Sequence, residues 1–328
     1  MAEGIWISWE IQRRNKELAS RLGWPLYEVN IIAPRISRYI QSLATTVSIV
    51  LKEKPSVVVA QNPSIVLAIW MCILSLFFRF SFVMDAHNGG INPQEQKVPI
   101  LMSIATWLIR RATFTIVTNA ALNHIVKKRG GRGIVLPDAL PHIEKHEKVF
   151  LDGSFRVAFI CTYSADEPYA EVIKAASLLP PTFKIYITGK FKNKVDPLNI
   201  PSTVTLLGFV PDKSFFELLI SADVIMDLTT REDCLVCGAY EGVALHQPLI
   251  LSNTIALRHY FYKGCTYVDP TADSIAKGIV DAHKNLTTLR SDIALLEGEI
   301  EQKWASDFEV FKQKITPLIN KRSTRKFL

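Results

Sequence analysis

The sequence has no apolar run long enough to cross a bilayer. Its most apolar stretch, Ile65 to Phe78, is 14 residues long and ends at Arg79, whereas a spanning helix needs about 20. A buried helix of an α/β domain is the expectation, and a shallow membrane-contact helix is the alternative. Cysteine is scarce: five in 328 residues. An odd, sparse set excludes a disulfide framework and points to a reducing compartment. No basic start followed by an apolar segment opens the chain, so no secretory leader is expected and a cytoplasmic place is. Cys234 and Cys237 form a lone C-x-x-C with no second pair, too few ligands for zinc, so no metal is expected and the two read as packing residues. The loop after the first apolar run, Ser8-Trp9-Glu10, holds no glycine. A nicotinamide or flavin domain would carry its glycine fingerprint there. Acid is in deficit, with 31 Asp and Glu against 38 Lys and Arg, for a net +7. That excess fits an anionic partner, either a phosphorylated small molecule or an anionic membrane surface. Nucleic acid is disfavoured, because the basic residues are scattered rather than banked on one element.

What is present is an alternation of short apolar runs with helical patterns, in a chain long enough for two domains. Strands are expected at Gly4–Ser8, Leu26–Ile32, Ser56–Ala60, Phe80–Met84, Phe114–Val117 and Gly133–Leu136. Between them the 3.6-residue period predicts helices at Gln12–Leu22, Ser37–Lys52, Ile65–Phe78, Ile100–Arg110 and Ala120–Lys128. The SVVVA run is too apolar for a half-exposed sheet and fits a parallel strand covered on both faces. Pro137 to Asp152, polar and rich in His and Lys, reads as a linker. A second alternation follows, with strands at Phe155–Ile160, Phe183–Thr188, Val204–Leu207, Val224–Leu228 and Leu249–Leu251. Its helices are expected at Tyr169–Leu179, up to Ser221 from a Ser214/Glu217 capping box, and at Cys237–Leu245, Ser274–Lys284 and Leu289–Ile315.

Strand–helix alternation of this spacing predicts α/β architecture with two Rossmann-like, doubly wound parallel sheets. The expected domains are 1–145 and 146–305. A C-terminal helix and basic tail, 306–328, are free to cross back to the first domain. Ligands of such sheets bind at the carboxyl ends of strands, so an interdomain cleft is the expected site.

Four strand-end loops carry the candidate chemistry. After the first strand, Glu10, Arg13 and Arg14 are candidates for the cleft wall, with solvated helix charges as the plain alternative. After the third comes Gln61-Asn62-Pro63, where Asn62 is a cleft candidate although Asn-Pro also simply starts helices. After the fourth comes Asp85-Ala86-His87-Asn88-Gly89-Gly90. Here His87 could serve as general base or bond a substrate hydroxyl, and Asn88 stands beside it. The fourth runs from Thr229 to Pro248. Asp233 and Glu241 stand eight positions apart, one on a loop and one on a helix. A helix starting near Cys237 and Gly238 would present backbone N–H groups to a diphosphate, and Glu241 could accept hydrogen bonds from ribose hydroxyls.

The stretch Ser221 to Asn253 resembles the donor-site segment of GT-B glycosyltransferases, in the retaining family of mannosyl- and glucosyltransferases. Asp233 and Glu241 match that family's acid-x7-Glu, and His246-Gln247-Pro248 stands at its Gly-x-Pro turn. The front half, SVVVAQNPSIVLAIW followed by VMDAHNGG, resembles the dolichol-linked chitobiose β-mannosyltransferases and their bacterial relatives. The resemblance spans most of the chain. It implies a GT-B fold, a metal-independent transfer and no cofactor besides the substrate, a UDP- or GDP-linked sugar. By the same resemblance Glu241 holds the ribose and Asp233 faces the transferred sugar. The acceptor implied is a glycan or a lipid-linked one, in cell-envelope or polysaccharide synthesis, with a place at the inner face of a membrane left open. Retaining and inverting outcomes both stay open, because the two resemblances point opposite ways.

The chain departs from the pattern in three places. The first loop lacks glycine, Asp233 replaces Glu, and Thr162 to Glu167 occupy the place of the usual Arg and Lys. Gly189, Lys190 and Arg231 are the candidates to approach and neutralise a diphosphate instead. A non-catalytic nucleotide-sugar-binding or partner protein on the same fold is the second expectation.

Overall fold

The computed structural model describes residues 3–62 and 64–324. They form two compact units, Met1–Ala139 with Lys303–Leu328, and Leu140–Gln302. The border lies inside the polar segment 137–152, which has no regular secondary structure. The tail side chains from Asn320 onward, and Pro63, lie outside the described residues.

The first unit holds β1 (Gly4–Ser8), α1 (Arg13–Leu22), β2 (Leu26–Glu28), α2 (Arg35–Glu53), β3 (Val57–Asn62) and α3 (Ile65–Phe78). After these come β4 (Ser81–Ala86), α4 (Asn88–Ile91), α5 (Pro99–Arg111), β5 (Phe114–Val117), α6 (Ala120–Lys128) and β6 (Gly133–Val135). The strands are all parallel, in the order β2-β1-β3-β4-β5-β6. Every residue of β3 is buried, as its unbroken apolar run requires when helices cover both faces. On one face α2, α3, α5 and α6 pack on Ile5, Ile7, Val58, Ala60 and Met84. On the other, Trp6, Val57, Val59 and Val83 meet α1 and the end of the last helix.

The second unit holds β7 (Phe155–Phe159), α7 (Tyr169–Ala176), β8 (Phe183–Thr188), β9 (Val204–Gly208), α8 (Asp212–Ser221) and β10 (Val224–Asp227). The remainder is α9 (Cys237–Ala244), β11 (Leu249–Ser252), α10 (Ile255–Tyr260), β12 (Cys265–Val268), α11 (Ala272–Lys284) and the part up to Gln302 of α12 (Leu286–Thr324), whose end belongs to the first unit. The order is β12-β11-β10-β7-β8-β9, all parallel. Counted within the unit this is the Rossmann order 3-2-1-4-5-6. The chain reverses direction across the sheet between β7 and β10, and in the first unit between β1 and β3.

Three expectations are corrected. β2 stops at Glu28 rather than Ile32, because Val29 donates to Ser8 O and the chain then leaves the sheet, with Ile32 98% exposed. α8 starts at Asp212, with no side-chain cap from Ser214. Pro211 takes the N-cap position, and its carbonyl accepts from Phe215 N at 2.8 Å. α12 runs 39 residues, through Pro317. Among the described residues no helix is long and apolar enough to cross a membrane.

Candidate functional site

In the second unit the reversal point is built from the ends of β7 and β10, which run level through Met226 and Phe159. The loop after β7 is tied by one carboxylate. Glu167 accepts from the backbone N–H of Thr162 at 2.8 Å and of Ser164 at 2.9 Å, and from the Thr162 hydroxyl at 2.9 Å. Asp166, buried, reaches across to the loop after β10. It accepts from Thr229 Oγ1 at 3.0 Å, pairs with Arg231 at 3.3 Å, and its carbonyl accepts from Thr230 N. The two loops are thus held together across the reversal.

Asp227 ends β10 and is buried. Burial pushes its carboxyl well above the ordinary range. The hydrogen bond from Gly238 N, 2.8 Å, opposes that rise, and the nearby carboxylates of Glu241, Glu167 and Asp166 add to it. Glu241 on α9 is therefore close enough to act on the reversal point, beside three acids that the sequence reading did not single out. No motif marks Asp227, Asp166 or Glu167; strand pairing brings them together.

Gly238 departs from its expected role. Its N–H is taken by Asp227, and a Cβ there would stand 2.4 Å from Ile160 Cδ1 and 2.7 Å from Asp227 Oδ2. It is the glycine that lets α9 seat against β10. Gly189 sits at the end of β8 with φ +95°, and a Cβ would fall 2.0 Å from Cys161 O. Lys190 is exposed beside Phe209, and Cys237 is exposed at the start of α9. Asp233 and Arg231 lie on the same loop, both half-buried. His246, at the place of the resembling family's turn glycine, has φ +53°, the left-handed region that glycine favours.

In the first unit a cavity of about 270 Å³ opens at the ends of β1, β2 and β3, lined among others by Trp9, Glu10, Arg38, Tyr39, Ser42 and Ser64. Glu10 is on its wall; Trp9, Arg38 and Tyr39 were not among the sequence candidates, because nothing in their local pattern separates them from surface residues. Arg13 is exposed and outside the lining. Arg14 is corrected outright. It is buried, donates to both oxygens of Asp85 at 2.9–3.1 Å, to Asp138 at 2.6 Å and to Leu136 O at 2.9 Å. Burial by itself would lower its pKa, but the two carboxylates outweigh that and hold it above its ordinary value. Asn62 is also buried, and its amide donates to Met84 Sδ and Gly90 O. His87 closes β4 beside Asp138, and its Nε2 is buried with no hydrogen-bond partner among the described residues. Asn88 is half-buried at the start of α4. No group of three or more His, Cys, Asp or Glu among the described residues is placed to hold a metal ion.

Neither a family model nor a curated protein matches the chain. Solved structures do match over nearly its whole length. A sucrose-phosphate synthase of Thermosynechococcus elongatus superposes with a TM-score of 0.77 at 13% identity, covering 97% of this chain and 99% of the other. HepE of Anabaena in complex with UDP-glucose gives 0.68 at 15%, covering 93% and 91%. A glycosyltransferase of Rickettsia africae gives 0.62 at 10%, covering 94% and 89%. The fold is GT-B. At this identity the likeness is one of fold, and GT-B accounts for both reversal points: each unit is a doubly wound sheet whose strand order reverses once.

Proposed function

We propose that the chain is a glycosyltransferase that takes a sugar from a nucleoside diphosphate donor. The observation that carries this reading is the convergence of Glu241, Asp227, Asp166 and Glu167 on the β7/β10 reversal point, where doubly wound sheets bind nucleotides. HepE, of the same fold, is complexed with UDP and with UDP-glucose. Glu241 accepts the two ribose hydroxyls. The head of α9, where Cys237 is exposed, faces the diphosphate with its helix dipole, and Lys190, which follows Gly189, and Arg231 offset the diphosphate charge. Asp233 faces the transferred sugar. His87, whose Nε2 lacks a partner among the described residues, bonds a hydroxyl of the acceptor. The scheme uses cationic side chains and a helix dipole in place of a metal. The first unit's cavity, with Glu10 and Arg38 on its wall, receives the acceptor: a glycan, or the head of a lipid-linked one in envelope or polysaccharide synthesis.

Calorimetric titration with UDP, GDP and UDP-glucose tests this. At least one should bind, and Glu241→Ala should weaken it at least tenfold with the melting temperature unchanged. Equal binding by both proteins would remove Glu241 from the site.

A second reading is a nucleotide-sugar-binding partner protein without turnover. The crowd of carboxylates, with Thr162 to Glu167 where relatives carry Arg and Lys, favours it. Tight binding with no transfer to a broad acceptor panel is its signature.

A further inference from the structure

The outer face of α3 is wholly apolar. Val66, Ile73, Leu76 and Phe77 recur at helical spacing on that side, half-buried or exposed, with Phe77 74% and Leu76 71% exposed, while Ile69 and Trp70 between them turn in to pack on the core. A helix covering a sheet ordinarily turns polar residues outward. Its neighbours in the same layer continue the pattern. α2 exposes Ile36 and Ile40, and α5 exposes Ile100 and Trp107. Patches of this kind mark contact surfaces.

Charge decides what makes the contact. The four helices of this layer carry seven basic residues, three on α2 and two each on α5 and α6, against one acid, Glu53. Arg79 follows α3 directly and is exposed. In the second unit α7 to α11 carry six acids and five bases, whereas α1, on the other face of the first unit's sheet, carries four bases and one acid, so the excess belongs to the helices of the first unit, and in this layer it stands beside the apolar stripe. An apolar stripe rimmed by cations and nearly free of acid is complementary to a surface with an anionic rim and a hydrocarbon interior. α3 is 14 residues, about 21 Å, too short to cross about 30 Å of hydrocarbon. We infer that the outer surface of α2, α3 and α5 docks on an anionic lipid bilayer, with the helices lying on it and their apolar side chains entering the interface.

The stripe also leads to the cavity of the first unit. Val66 belongs to both, and Arg38 and Tyr39 of α2 line the cavity on the helix that exposes Ile36 and Ile40. A lipid-linked acceptor could present its polar head there while its chain stays in the bilayer. That clause rests on the functional reading above; the docking surface stands on its own residues.

Vesicle flotation of the full chain tests the inference. Wild type should float with phosphatidylcholine vesicles containing phosphatidylglycerol and at least tenfold less with phosphatidylcholine alone. Leu76→Glu with Phe77→Glu should lose flotation at least tenfold, and Arg79→Glu with Arg111→Glu should weaken it, both with unchanged melting temperature and UDP binding. Leu198→Glu, at an equally exposed position of the second unit, should float as wild type. Wild type indifferent to anionic vesicles, or folded variants that float as well as it does, would overturn the inference. So would a wild-type dimer in sedimentation velocity that the Leu76/Phe77 variant dissolves, since a second copy would then cover this face. Failure of UDP, GDP and UDP-glucose all to bind, with flotation intact, would sink the functional reading alone.

Discussion

Asp227 shows how one residue's chemistry is set by neighbours far away in sequence. Its carboxyl keeps a proton to higher pH in the folded chain than in the unfolded one, first because it is buried and then because Glu241, Glu167 and Asp166 stand near. The folded state therefore takes up this proton first. The stability it adds is full below the unfolded value of about 3.9 and is lost as pH rises from there through the raised value. Asp227→Asn keeps an oxygen for the Gly238 N–H and removes the titration. In urea unfolding from pH 4 to 8, the variant should lose less stability with rising pH than wild type and be the more stable protein at the upper end. Parallel profiles would place the pH dependence elsewhere. From sequence, Glu241 was legible because the acid-x7-Glu spacing survives. Asp227 was not, because an acid ending an apolar strand looks the same whether solvent or three carboxylates face it.

At the scale of elements, Arg14 joins three. It stands on α1, binds the end of β4 through Asp85, and holds the segment after β6 through Leu136 O and Asp138. Burial pushes Asp138 up, but Arg14, with His87 and Arg13, brings it below its ordinary value. Removing the cation leaves buried Asp85 and half-buried Asp138 uncompensated, which costs about 3–5 kcal/mol. Arg14→Met should therefore lower the unfolding free energy by about that amount at pH 7. A depressed carboxyl contributes stability above its unfolded value and loses it as pH falls through the folded one. The gap between variant and wild type should then narrow below about pH 4, as Asp138 is protonated. Thermal unfolding at pH 7 and pH 3 checks this, and a constant gap would mean that the charges do not matter. The α1 pattern displays Arg13 and Arg14 as equivalent neighbours. Only the packed strand ends separate an exposed cation from a buried tie.

At the scale of the molecule, the chain returns to its first unit. Trp304, Phe308, Phe311, Ile315 and Leu318 of α12 lie in the core built on Trp6, Val57 and Val83, and Trp304 Nε1 donates to Pro137 O at 2.9 Å. The first unit's sheet is thus covered on one face, beside α1, by residues more than 200 positions away in sequence from Trp6, Val57 and Val83. Phe311 is fully buried, and Phe311→Ala should cost about 3–5 kcal/mol. Hydrogen exchange should rise in β1 and β3 and stay unchanged in β7, β8 and β10, since the second unit has its own cores. Equal effects in both sheets would contradict the division into units.

By itself the sequence determined the class of fold: period-2 and period-3.6 patterns are local, and their alternation leaves a parallel, doubly wound sheet as the packing solution. It also placed α9, Glu241 and the 14-residue α3. Strand order, the two reversal points and the cavity wall were decided by tertiary structure alone, because they depend on which strand edges pair, and that is set by burial summed over the whole layer. The same holds for charge. The bases of α2, α5 and α6 read as scattered along the chain, and become one face only when the sheet brings those helices side by side.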